Sequence, residues 1–260
     1  MTPDQLALYA VLMPAAVAIA VLLIPVVRRR RAGDQSYPVA RRQAWLSGAA
    51  CATALSMSLV VTDGWPWEAA WSSWKLLYLS AAIVAAAAAV ICIPRVPVAA
   101  TIALAAAAAV LWYSVPEAKE IGVRTLAASL AAGVAIAVWR CASRAPAWCC
   151  AASALQFLIF AGLIGSSGSS KVAAASAAVA VTLSAGAVAT RAFRTFSCAA
   201  AAALASGGIG VALALYGRGY HDNLAGWIWW SAAALPGALC IPWAFTRDQR
   251  GPAQDGPPTP

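Results

Sequence analysis

The chain has 260 residues, of which 62% are hydrophobic and 10% charged, against about 25% charged in an ordinary soluble domain. With a mean hydropathy of +0.75, that balance excludes a soluble globular protein. The formal charge of +9 would suit a nucleic-acid binder, but the basic residues sit beside apolar stretches and not along a polar face, so no nucleic-acid partner is expected.

The chain is read as nine apolar stretches, at 6–27, 44–62, 75–93, 97–115, 122–139, 146–164, 172–190, 196–216 and 224–245. An α-helix rises about 1.5 Å per residue, so about 20 apolar residues cross the hydrocarbon core of about 30 Å. The expected fold is therefore an all-α polytopic transmembrane helix bundle in the bilayer. Residues 1–246 form a single transmembrane domain, and 247–260 a disordered tail rich in Pro and Gly.

The first stretch follows Asp4 with no basic residue before it and precedes Arg28, Arg29, Arg30 and Arg31. A cleaved signal peptide has the opposite polarity, so this is a retained helix. It is rich in bulky aliphatic residues, which suits contact with lipid. The joint 28–43 adds Arg41 and Arg42. Its six arginines are candidate contacts for anionic lipid head groups on the cytoplasmic side. After the second stretch comes DGWPWEAAWSSW, where Trp65, Trp67, Trp71 and Trp74 predict a short interfacial hairpin.

In the sixth stretch Gln156 is the only large polar side chain at mid-depth. It could line a polar pathway or hydrogen-bond a neighbouring helix. The joint that follows contains GSSG at 165–168. Those four residues resemble the GxSG around the nucleophile of rhomboid-type intramembrane proteases. That resemblance would make Ser167 a nucleophile and His221, on the same side, its base. The other signature residues of that family are missing here.

The seventh stretch and the start of the eighth are dominated by Ala, Gly, Ser and Thr, with Ser206 and Gly210 at small-xxx-small spacing. Small side chains let helix backbones approach, which predicts a central position for both. The joint GRGYHDN gathers Arg218, Tyr220, His221 and Asp222 into a candidate ligand site on the outer face. Pro14 and Pro236 lie within the first and ninth stretches and should kink them, freeing backbone carbonyls.

Orientation follows from charge. One set of alternating joints, together with the tail, holds thirteen of the 18 basic residues: the six arginines named above, Arg95, Arg140, Arg144, Arg191, Arg194, Arg247 and Arg250. The other set holds Lys75, Lys119, Arg124, Lys171 and Arg218. The positive-inside rule puts the N-terminus outside and the C-terminus in the cytoplasm, with the bacterial inner membrane as the expected location. The 12 tryptophans all fall at the boundaries this topology predicts, and none lies mid-stretch.

All seven cysteines fall in or near the cytoplasmic halves, so structural disulfides are not expected. Cys141, Cys149 and Cys150 are the nearest approach to a metal or redox cluster. There is no CxxC pair and no His or carboxylate beside them, so the site inventory contains no metal, cofactor or catalytic residue.

No carboxylate or cation lies at mid-depth, which disfavours a proton relay or a voltage sensor. With His221 the sole histidine, a haem held by two histidines is excluded unless a partner supplies ligands. The functional expectation is a permease for a neutral or lipid-like solute, without enzymatic activity. The alternative is an accessory or structural subunit, acting through membrane-protein partners or as a homo-oligomer. A Ser/His intramembrane hydrolase is a remote third reading.

Overall fold

The computed structural model describes residues 3–32, 39–63, 76–93, 95–111, 121–193, 196–220 and 224–245. Within them every regular element is helical. Helix α1 (Met13–Ala32) continues a π-helical segment, Leu6–Leu12, and an N-terminal turn, Pro3–Gln5. Then come α2 (Val39–Asp63), α3 (Leu76–Ile91), α4 (Val98–Leu111), α5 (Ile121–Ala142), α6 (Pro146–Ser166) and α7 (Ser170–Ala192). Helix α8 runs unbroken through Ala199–Leu204, a π-helical turn at Ala205–Gly210, and Val211–Tyr220. Helix α9 (Gly226–Phe245) closes the series. Each apolar stretch of the sequence thus contains a helix.

Six of these segments are long and apolar enough to cross a membrane: Leu6–Ile24, Trp45–Thr62, Ile121–Ala142, Pro146–Ser166, Ser170–Ala192 and Ala199–Gly219. Leu77–Ile91 and Val98–Leu111 are apolar but shorter. Helix α9 has 20 residues and contains Pro236 and Pro242. The outer surface carries large apolar side chains. Leu104 is 72% exposed, Val188 71% and Leu158 60%, as expected of a surface solvated by hydrocarbon and not by water.

The bundle is organised around α8. Residues 199–217 are all buried, and α2 to α6 and α9 all pack against this helix. Its glycines allow this. A Cβ on Gly207 would sit 2.5 Å from the Ala131 carbonyl oxygen of α5 and 3.0 Å from Cβ of Ala106 on α4. One on Gly208 would meet Ala109 and Val84, each at 3.2 Å. With no hydrophobic drive between helices in lipid, close backbone approach of this kind supplies the association energy through dispersion.

Helices α6 and α7 form the most extensive antiparallel pair, joined at Ser167–Ser169. Gly168 adopts φ +96°. Its N–H bonds to the Gly165 carbonyl at 3.1 Å, and the Ser169 N–H to that of Ile164 at 3.2 Å. This is the Schellman arrangement, which ends a helix and needs a glycine at the left-handed position. The hydroxyls within α7 turn back onto their own helix, Ser176 to the Val172 carbonyl, Thr182 to Ala178 and Thr190 to Gly186. A helix satisfied this way is buried at little polar cost.

Candidate functional site

Two parts of the bundle carry its polar chemistry. The first lies at mid-bundle, where α6, α8 and α9 meet. Gln156 is fully buried, and its Nε2 donates to the Ala233 carbonyl at 3.0 Å and to that of Ser206 at 3.4 Å. Each acceptor has a feature beside it that loosens a helix. Ala233 lies one turn before Pro236, whose missing N–H and bulky ring loosen the local carbonyl ladder. Ser206 lies in the π-helical turn of α8. Beneath the amide, the Ser206 hydroxyl donates to Ser153 Oγ at 2.7 Å, and Ser153 in turn to the Ala202 carbonyl at 3.4 Å. Gly210 leaves the room this requires, because a Cβ there would lie 2.5 Å from Nε2. Gln156 Oε1 has no hydrogen-bond partner among the described residues. The amide therefore bridges α6 to both α8 and α9.

The second part is at the end of the bundle that bears Arg95, Arg140, Arg144 and Arg191. A half-open cavity of about 580 Å³ lies there, between the end of α3, the start of α4, the end of α5, the start of α8 and the end of α9. Apolar walls come from Ile91, Val98, Ala142, Ala199, Ala200 and Ala244. Trp139, Arg140, Ser143, Arg144 and Ser197 supply the polar margin. Arg144 Nη1 donates to the carbonyls of Trp243 at 2.7 Å and Ala244 at 3.1 Å. That places a cation on the open carbonyls at the end of α9, where the helix dipole favours it. Trp148 Nε1 reinforces the same junction through the Leu239 carbonyl at 3.2 Å.

The remaining predicted sites are dispersed. Arg218 lies over the ring of Trp230, 5.8 Å from its centroid, a cation–π contact. His221, Asp222 and the side chain of Tyr220 lie outside the described residues. So do Trp65, Trp67, Trp71, Trp74 and the tail 247–260, while Arg28, Arg29, Arg30, Arg31, Arg41 and Arg42 are described in backbone only. Ser167 donates to the Leu163 carbonyl at 2.8 Å. GSSG at 165–168 is therefore the helix-ending turn described above.

Trp229 departs from the aromatic-belt expectation. It is fully buried, packs directly on Gly217 and stacks on Phe160 with centroids 6.4 Å apart. Trp227, two residues earlier, is 70% exposed. Of the cysteines, Cys141 and Cys149 do come together, but with Cys240 of α9 and not with Cys150. Helix geometry makes this so, because consecutive residues are turned about 100° apart. Sequence reasoning missed Cys240 because nothing local shows that α9 packs beside α5 and α6.

The chain matches no protein-family model, no curated protein and no solved structure.

Proposed function

We propose that the protein is a multi-pass membrane protein, of the bacterial inner membrane by its charge pattern, that binds and moves a lipid-like solute with an anionic head. The cavity at the arginine end carries this reading. Its walls are apolar enough for an acyl chain, and Arg140 and Arg144 stand at its margin beside the hydroxyls of Ser143 and Ser197. A guanidinium at a membrane interface binds a phosphate or carboxylate by charge-assisted hydrogen bonds. With the N-terminus outside, this end faces the cytoplasm.

Arg140 is the cleaner probe, since Arg144 also holds the end of α9. In native mass spectrometry, Arg140→Ala should lower the retention of anionic phospholipid several-fold and leave zwitterionic lipid unchanged. In proteoliposomes the same variant should slow flux of a fluorescent anionic lipid analogue, whereas Gln156→Leu should not. Equal retention of both lipid classes by wild type and Arg140→Ala would defeat this assignment.

A second reading, the accessory subunit, rests on two grooves in the lipid-facing surface. One has Gly133, Ala137, Ala234, Gly237 and Ala238 beside Leu130, Val134 and Ile241, and the other Ala151, Ala154, Ala177, Ala180 and Ser184 beside Leu155, Leu158 and Val181. Small residues in such rows suit docking of another helix. A partner retained in mild detergent, with no lipid flux by the purified chain, would favour it.

A further inference from the structure

The sequence contains no recognisable metal-binding motif, but the fold assembles one kind of ligand at one point. Cys141, near the end of α5, Cys149, in the first turns of α6, and Cys240, on α9, place their Sγ atoms within 4.8 Å of one another, and all three residues are buried. Cys150, turned about 100° from Cys149 around α6, meets the thiol of Cys198 instead, with Cys51 close by.

We propose that Cys141, Cys149 and Cys240 form an all-sulfur site for a soft, closed-shell cation of the Cu(I) type.

Two observations lead there. The first is geometry. Metal–thiolate bonds of about 2.3 Å place three trigonal sulfurs about 4.0 Å apart, so the trio needs to contract by less than an ångström. The second is ligand type. Among the described residues no His or carboxylate joins the trio. Thiolates alone select Cu(I) over hard cations, and a site of three sulfurs lacks the fourth ligand that a structural zinc site has.

Binding displaces protons. Cys149 Sγ donates to the Val138 carbonyl at 3.3 Å; that proton leaves as the Cu–S bond forms. Loss of two thiol protons to one Cu(I) leaves the site at a net charge of −1, and loss of three at −2. No electron transfer is involved, because the cation arrives and stays as Cu(I).

The test uses the full chain, reduced and anaerobic in detergent, titrated with Cu(I) against a chromophoric chelator. One equivalent should bind per chain, with a thiolate-to-copper band in the near ultraviolet. Cys149→Ser and Cys240→Ser should each weaken binding at least tenfold while eluting as the wild type in size exclusion. Cys92→Ser and Cys198→Ser should bind as the wild type does. The site is overturned if copper stays with the chelator, if Cys149→Ser and Cys240→Ser bind normally, or if Zn(II) binds at one equivalent where Cu(I) does not. Mass spectrometry showing a disulfide within the trio in protein isolated without reductant would also overturn it.

Discussion

Individual residues in this bundle are chosen mainly for what they leave out. Gly168 is there because its φ of +96° disfavours any side chain with a Cβ. Gly168→Ala should cost about 1–2 kcal/mol, read as a lower melting temperature in detergent, with the α6–α7 pair still formed. Gly207 is constrained from outside its own helix. A Cβ there would press on a backbone carbonyl of α5, which cannot swing away as a flexible side chain could. Gly207→Ala should therefore destabilise the protein by at least about 1–3 kcal/mol. Gly133→Ala is the matching control, because nothing lies within 4 Å of its Cβ position. Its stability should equal or exceed the wild type's, and equal losses in both variants would contradict the packing described for α8. Local sequence made part of this visible. The GSSG run already read as a joint, and its glycines are those a helix-ending turn requires. The inward turn of Trp229 was not legible, because it depends on Gly217, twelve residues away on another helix.

At the scale of elements, composition was a good guide to depth. The stretches richest in Ala, Gly and Ser became α7 and α8, and α8 is enclosed by its neighbours. The reason is physical: only helices without bulk can be surrounded on every side at close range. The first stretch, rich in larger aliphatics, lies at the surface, with Leu8, Leu12, Met13 and Val17 exposed. The prolines do not interrupt α9, which runs as one helix through Pro236 and Pro242. Pro14 stands two residues after the π-helical Leu6–Leu12. Pro236 stands one turn beyond the carbonyl that Gln156 reaches across from α6. The sequence put Gln156 at the right depth. It could not reveal that a carbonyl of α9 and the π-helical turn in α8 would both face it.

For the molecule as a whole, the alternation of charge along the chain agrees with how its ends assemble. The cavity gathers Trp139, Arg140, Arg144, Ser197 and Ala244 from three separate parts of the sequence, all of which the joint pattern had assigned to one side. Orientation in the membrane is a separate matter and has a direct test. A reporter active only in the cytoplasm should work when fused after Phe245 and fail when fused ahead of Leu6. Activity only at the N-terminal position would invert the topology, and with it the leaflet from which the cavity opens.

The amino-acid sequence by itself determined that the chain forms apolar helices, where each begins and ends to within a few residues, and which of them are slim enough for the centre. Those properties are local, set by runs of apolar residues and by Pro, Gly and Arg at the joints. Only the tertiary structure decided which helices meet. Partner choice among apolar helices depends on how their surfaces fit in three dimensions, and similar alanine-rich faces look alike in a linear string. For that reason the Gln156 bridge, the arginine-edged cavity and the trio of Cys141, Cys149 and Cys240 appeared only once α5, α6, α8 and α9 were seen side by side.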